Sequence, residues 1–408
     1  MKKTKIMFFQ KAHQVLFAIS LLGYLSPYYT WGRLNRFFFL VVPVILFVSF
    51  EILHLKTNCK KIILSIGITI LTSYFHLRAY FMEFSFLGFM FFILSVFLFL
   101  ILLSIPPKEA IVSWKNFLWL FALTLVPGIF IYFLRFNFDI PFKEIPPLNS
   151  LKNYNYLTFA GSLFPNLSST QSLRFHGIYG EPGALGTYAA LILGFDKFRN
   201  KIPCMIILFS GIISFSLAFY VLMIFNIFFI FKRKLLWVIF LFAIALAGTT
   251  SDELQTMFFS RLTFTEEGFS GDNRDKDQFK QEFDYFITNN NISDVVVGKG
   301  FRASNLAGGA GGASVRMFVY DYGLLGLFFV AVVYFSILAK NKTKNNFLAM
   351  LAYFMSMYQR PWIYNWDFIF IFYFGSFFDF MESGLNFQQQ NLIKHSDQGS
   401  QGEKEGIV

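Results

Sequence analysis

Arg174-Phe175-His176-Gly177-Ile178-Tyr179-Gly180-Glu181-Pro182-Gly183-Ala184-Leu185-Gly186-Thr187-Tyr188 puts a basic and acidic polar cluster directly before an apolar run. Pro182 suits the first turn of a helix, where its missing N–H costs nothing, and Glu181 then sits at the positive end of the helix dipole. The stretch predicts a helix beginning at Pro182. Glycines 177, 180 and 183 allow the backbone close to a ligand, and the N–H groups of a helix start beside Arg174 make an anion site. The same residues also read as the capped beginning of a membrane helix, with Arg174 and His176 solvated. Local chemistry leaves both readings open.

The surroundings are those of a membrane. Of 408 residues, 55% are hydrophobic and 21% aromatic, with 60 Phe, too apolar for a soluble domain with one core. The formal charge of +11 falls in short clusters between apolar spans rather than on one face, which excludes nucleic acid as the partner. Met1 to Lys5 resembles the start of a signal peptide, but the apolar run after His13 ends in Ser26-Pro27-Tyr28-Tyr29 without a small-x-small cleavage site, so a retained first span is expected. Cys59 and Cys204 are too few and too separate for a disulfide scaffold or a cysteine metal site.

Five spans are expected before the key stretch, at about 14–30, 37–54, 62–79, 84–104 and 116–135. Lysines cluster at Lys2, Lys3 and Lys5, at Lys56, Lys60 and Lys61, and at Lys108 and Lys115, two spans apart each time, which puts the N-terminus in the cytoplasm; Arg33 and Arg36 are a local exception. Residues 1–136 are thus N-terminal spans, and 137–182 form an external connection with turn signals at Pro141 and Pro146-Pro147. Central spans fill 183–250, the first running to Asp196 before an inner basic loop at Lys197, Arg199 and Lys201. The apolar stretch from there to Lys232-Arg233-Lys234 has basic ends on both sides, so it is expected to be a hairpin broken near Ser214 to Ser216.

Another span at 235–250 leads to a large external loop, 251–316. Within it Gln278 to Ile287 has helical spacing, Ile292 to Val297 reads as a short extended run, and Gly308 to Gly312 is a glycine-rich loop. C-terminal spans at 317–338, 345–358 and 364–382 occupy 317–383, and the polar residues 384–408 read as a disordered cytoplasmic tail. The expected fold is an all-α polytopic integral membrane protein of about twelve transmembrane segments with a large external loop.

Arg174, Arg261, Arg274, Arg302, Arg316 and Arg360 all fall on the side that should be poor in basic residues. Such an excess asks for an anion: outer-leaflet headgroups, or a diphosphate gripped by guanidinium forks. Gly298-Lys299-Gly300-Phe301-Arg302-Ala303 imitates a dinucleotide fingerprint, yet no strand-helix-strand unit fits there, and no phosphate-loop Gly-Lys-Ser/Thr occurs. A lone His176 offers a base of suitable pKa but no metal site, a lone histidine being more often structural or solvent-facing.

The pattern Arg174-x-x-Gly177-x-x-x-Glu181-Pro182-Gly183-x-x-Gly186-x-Tyr188, followed by an apolar span, resembles the corresponding stretch of the bacterial O-antigen and exopolysaccharide polymerases, which share a superfamily with the O-antigen ligases. Val296-Val297-Gly298-Lys299-Gly300 is similar to that family's glycine turn late in the large outer loop. Tyr320-Asp321-Tyr322-Gly323-Leu324-Leu325-Gly326 resembles the start of its next span, and Gln359-Arg360-Pro361 a further outer arginine motif. The ligases carry a histidine shortly before that span, where this chain has Gly312-Ala313-Ser314-Val315-Arg316, so the resemblance leans to a polymerase.

What the resemblance implies is a membrane-embedded glycosyltransferase for lipid-linked sugars. Its substrate would be an undecaprenyl-diphosphate-linked oligosaccharide at the outer face of the bacterial inner membrane, amid membrane lipids and with a flippase and a chain-length regulator as partners. Arg174, Arg360 and Arg316 would hold the diphosphate and Glu181 would be base or sugar-orienting group, with His176 a further catalytic candidate. Arg302, Lys299, Arg261, Arg274, Gly177 and Gly180 would line the substrate. No nucleotide, metal or other cofactor is expected, because the leaving diphosphate carries the activation. A lipid-linked oligosaccharide flippase, another transporter or an O-antigen ligase are the alternatives; a structural scaffold leaves the outer arginines unexplained.

Overall fold

A computed structural model describes residues 107–147, 154–166, 174–231, 277–289, 291–309, 314–358, 360, 362–365 and 367–381, with isolated positions in 14–30, 67–75 and 264–269. The spans expected at 37–54, 84–104 and 235–250, Arg261, Arg274 and the tail 384–408 lie outside the described residues.

The described residues are mostly helical. Helix α1 (Pro107–Leu134) buries Trp114, Phe117, Leu118, Phe121, Ala122 and Leu125, an i, i+3, i+4 stripe against the bundle. Its other face is apolar too, with Trp119, Leu123, Phe130 and Phe133 exposed. A helix apolar all round but buried on one side only suits a hydrocarbon neighbour. Residues Ile111–Leu134 of α1 and Val315–Ala339 further on are long and apolar enough to cross a membrane.

Helix α2 (Pro182–Asp196) is the centre of the bundle, with every residue buried except Ala184. It begins where the sequence predicts, with Pro182 in its first turn after Glu181. Helix α3 (Lys201–Ile213) and helix α4 (Leu217–Phe225), continued by a π-helical stretch Asn226–Phe231, both pack on α2. Small residues admit them: a Cβ on Gly186 would lie 2.5 Å from that of Ser216, and one on Gly194 would lie 3.0 Å from Asn226 Oδ1. These contacts run the length of α2 in order, so α4 lies parallel to it. Helix α3 starts beside Asp196, whose Oδ1 accepts from Cys204 Sγ at 2.9 Å, and ends at Ile213, whose carbonyl accepts from Phe175 N at 3.1 Å. It is therefore antiparallel, and the expected hairpin is present, turning at Ser214-Phe215-Ser216 with Phe215 at φ 45°.

The connection 137–182, expected as an external loop with turn signals, contains a three-stranded antiparallel sheet: β1 (Lys143–Ile145), β2 (Tyr156–Phe159) and β3 (Ser162–Pro165). Strands β2 and β3 pair Thr158 with Leu163 and are joined by Ala160 (φ 45°) and Gly161 (φ 82°). Two positive-φ residues make the tight hairpin turn whose twist matches the strands. Tyr156-Leu157-Thr158-Phe159 is rich in strand-forming aromatic and β-branched residues. A two-residue-per-strand hairpin follows later, β4 (Phe264–Thr265) with β5 (Gly268–Phe269).

Helix α5 (Asp277–Asn289) stands where helical spacing predicts it. Helix α6 (Ile292–Val297) corrects the expectation of an extended run. Its β-branched composition favours a strand, but Val295 packs against the Phe279, Phe286 and Tyr320 cluster on one helical turn, and tertiary packing overrides propensity. Helix α7 (Val315–Lys340) is capped by Ser314, whose Oγ accepts from Met317 N at 3.2 Å. Helix α8 (Lys344–Met357) is capped by Thr343, whose Oγ1 accepts from Asn346 N at 3.0 Å. Residues 367–381 form the last helix, α9.

The helices alternate in direction. Asp379 of α9 accepts from Lys197 Nζ at 2.5 Å, Arg199 Nη2 at 2.9 Å and Thr343 Oγ1 at 3.1 Å, which gathers the 197–201 loop and the α7–α8 turn at one end. Burial of Lys197 there lowers its pKa. The sheet, the α3–α4 turn, Glu181, Arg360 and residues 362–364 gather at the other end.

Candidate functional site

Four separate elements hold Arg174 to Glu181 in place. Leu163 N of β3 donates to Gly177 O at 2.8 Å, and Tyr28 N, from a short 3-10 turn Tyr28–Thr30, donates to Ile178 O at 2.8 Å. Phe175 N reaches the end of α3, and the Tyr156 hydroxyl of β2 donates to Gly180 O. A loop tied on all sides keeps a fixed geometry, which a site needs. Arg135, at the end of α1, adds a clamp by laying its guanidinium 4.3 Å from the Phe164 ring centroid, beside Tyr132 and Phe136.

At the start of α2, Arg360 Nη2 donates to Glu181 Oε2 at 2.7 Å. The Arg360 side chain is 5% exposed and that of Glu181 is 38% exposed, so the pair is a buried cation with an anion that opens outward. Gly183 makes this possible, since a Cβ there would lie 2.5 Å from Arg360 Nη2. The carbonyl of Glu181 accepts from Ala184 N at 3.1 Å and Leu185 N at 3.3 Å. Its carboxylate makes no cap hydrogen bond and is turned toward the guanidinium. Beneath lies a second polar pair: the Tyr188 hydroxyl, on α2, donates to Asp367 Oδ2 at the start of α9, both groups buried.

The sequence expected Arg174 to flank the helix start; the structure puts Arg360 there. Arg174 Nε donates instead to Ser214 O at 3.3 Å, on the α3–α4 turn. The guanidinium beside Pro182 comes from a distant segment, which local sequence does not reveal. His176 is 3% exposed, with Tyr156 set edge-on at 6.2 Å between ring centroids, so it is neither solvated nor open to the outside. Gly177 (φ 58°) packs closely on α1, where a Cβ would meet Leu125 at 2.9 Å. Burial raises the pKa of Tyr179, and burial, followed by Tyr154 and the charge of Glu181, raises that of Tyr156.

A second cluster joins two motifs. Gly298 (φ 79°) and Gly323 (φ 67°) meet backbone to backbone, and a Cβ on Gly298 would lie 2.5 Å from Gly323 N. At Gly323 the helix α7 kinks, so that Lys299 N donates to Tyr320 O at 2.7 Å and Gly300 N to Asp321 O at 3.0 Å. The Asp321 carboxylate accepts from Ser304 N at 2.7 Å and Ser304 Oγ at 3.1 Å. Lys299 is ion-paired with Asp294 at 2.7 Å, Arg302 is exposed with its guanidinium 4.9 Å from the Phe301 ring centroid, and Arg316 is half-buried in the first turn of α7. Of the expected site residues, the structure brings Glu181 and Arg360 into direct contact and sets Lys299 and Arg302 together at the glycine turn.

Sequence reasoning missed Tyr188 and Asp367 as site residues, although a carboxylate within an apolar span is itself a signal. Comparison with protein-family models, with curated proteins and with solved structures finds no match.

Proposed function

We propose that this chain is a multi-pass glycosyltransferase of the bacterial cytoplasmic membrane that polymerises polyprenyl-diphosphate-linked oligosaccharide repeat units at the outer face, with its site around Glu181 and Arg360. The single observation that carries this reading is their contact: a buried guanidinium, held by one partly exposed carboxylate, is poised to exchange that carboxylate for another anion. Orientation follows from charge. Lys197, Arg199, Lys201, Lys342 and Lys344 lie at the opposite end of the bundle, which the positive-inside rule assigns to the cytoplasm.

The chemistry then runs as one displacement. The diphosphate of the donor takes the Arg360 guanidinium, and Glu181 is released as a carboxylate. An acceptor hydroxyl gives its proton to Glu181 while its oxygen bonds to the anomeric carbon of the donor. The bond from that carbon to the diphosphate oxygen breaks, and the departing lipid diphosphate carries the electron pair against Arg360, with Arg174 and Arg316 as further cations. Glu181 later yields its proton to water and returns to Arg360.

Asp367, buried in the bundle, favours the competing reading of a transporter, since membrane carboxylates often serve ion-coupled movement. Incubating the purified full chain with a lipid-linked repeat unit separates the two. A ladder of products that Arg360→Ala abolishes supports polymerisation, whereas movement of the lipid-linked unit between leaflets without any ladder refutes it.

A further inference from the structure

Asp367 is a buried carboxylate, 8% exposed, that forms no ion pair among the described residues. Besides the backbone N–H groups of Phe368 and of Asp367 itself, what faces it is phenolic. Tyr188 of α2 donates to it, and its charge also bears on Tyr334 of α7, Tyr353 of α8 and Tyr364 just before α9. Tyr334 donates its proton elsewhere, to Ile363 O at 2.8 Å, and the Tyr353 hydroxyl has no hydrogen-bond partner among the described residues. Two cations act on this group: the Arg360 charge reaches the Tyr188 hydroxyl, and the Arg302 charge reaches Tyr364. An ionisable group held this way in a membrane bundle is costly and marks a working role.

We infer that Asp367, acting through Tyr188, is a positioning residue that tunes the anion affinity of Arg360, so that its charge state sets how tightly the site holds a diphosphate. This rests on the diphosphate reading above. With Asp367 ionised, its negative charge opposes a second anion at Arg360 and helps the product diphosphate to leave. With Asp367 protonated, that opposition disappears and the diphosphate is held longer. The group is not in the displacement itself, so it acts on binding and release.

The test uses farnesyl diphosphate as the probe on the full chain in nanodiscs. Removing a full charge from the same polar cluster, in surroundings of intermediate dielectric, changes anion affinity by about 5- to 30-fold. Asp367→Asn keeps the size and an acceptor oxygen for Tyr188, and is expected to bind the probe more tightly by that factor at alkaline pH. Mere structural damage moves affinity the other way. The wild-type to variant ratio is expected to approach one as pH falls and Asp367 takes its proton; protonation of the probe itself affects both proteins and cancels. Equal or weaker binding by Asp367→Asn at every pH, with wild-type binding still lost in Arg360→Ala, overturns this inference and leaves the diphosphate reading standing.

Wild-type binding that Arg360→Ala does not weaken overturns the diphosphate reading instead. An infrared titration then judges Asp367 without a ligand. A protonated-carboxyl band is expected to titrate in the wild type, to vanish in Asp367→Asn, and to persist to higher pH in Tyr188→Phe, where the carboxylate loses a donor. Absence of a titrating band overturns the inference.

Discussion

Arg360 and Glu181 lie 179 positions apart in sequence and meet at 2.7 Å at the first turn of the central helix. The contact makes an anion from the key stretch and a cation from the last polar loop into one unit. Each half changes what the other can do.

Glu181→Gln leaves Arg360 buried without its anion. Because Glu181 is partly exposed, the stability cost is expected to be about 1–2 kcal/mol, below the roughly 3–5 kcal/mol of a fully buried pair. Polymerisation is expected to fall about 100- to 10,000-fold as the base is lost. Glu181→Ala with Arg360→Ala together should cost less stability than the sum of the singles, measured by thermal unfolding in detergent; strict additivity would show that the two do not interact.

Arg174 tests whether a second guanidinium grips the diphosphate. Arg174→Lys keeps the charge but loses the fork and the Nε donor to Ser214 O, and polymer synthesis is expected to drop about 10- to 1000-fold. Full-length polymer from Arg174→Ala at matched protein levels would remove this residue from the reaction.

Gly323→Ala is expected to be among the most destabilising single changes. A Cβ there runs into the Val296 carbonyl, and the positive φ disfavours any L side chain, so a loss of about 2–4 kcal/mol follows. Limited proteolysis should cut near Gly298 in the variant while α1 to α4 stay resistant. Resistance equal to the wild type would mean the two glycines are not packed together.

Glu144 of β1 accepts from Asn155 Nδ2 at 3.0 Å and Asn166 Nδ2 at 3.1 Å, and these two bonds, Asn166 first, hold its pKa below the ordinary value. A depressed carboxylate pKa adds stability above the unfolded-state pKa, and that stability fades as pH falls through the folded value. Protease cleavage in residues 143–166 should therefore increase in acid for the wild type. Glu144→Gln, which cannot ionise, should lack that increase; an identical acid response would exclude the clasp as its cause.

Orientation is tested by labelling. In a chain with Cys59 and Cys204 replaced by Ser, an impermeant thiol reagent added outside intact cells should modify Phe138→Cys and leave Lys201→Cys untouched. The reverse pattern inverts the proposed topology.

The start of α2 was legible because Glu181-Pro182 is a local signal, and the α3–α4 hairpin because basic residues at both ends of an apolar stretch leave it no way to cross once. The helix Ile292–Val297 was not legible, since its β-branched residues obey a tertiary contact with Phe279 and Phe286 rather than their own preference. The β2–β3 hairpin hid behind its flanking prolines and asparagines. At the site, both charged residues were identified singly, but their pairing was not: Arg174 was the nearer guanidinium in sequence, and only the packing of α8 and α9 on α2 brings Arg360 to Pro182. Asp367 is hidden in the sequence because it lies within the apolar run expected to span at 364–382.

Gly183 is the imprint of an arginine it never meets in sequence. A Cβ there would lie 2.5 Å from Arg360 Nη2, so a side chain at 183 shifts the guanidinium from its present place and couples the two positions. In a diverged copy of this chain, the two would behave as one inherited character: glycine at 183 permits the arginine, and a larger residue at 183 reports that the arginine, and with it the partner of Glu181, has moved or gone. A larger residue at 183 is therefore, from one short read, a sign that a distant part of the same chain has changed.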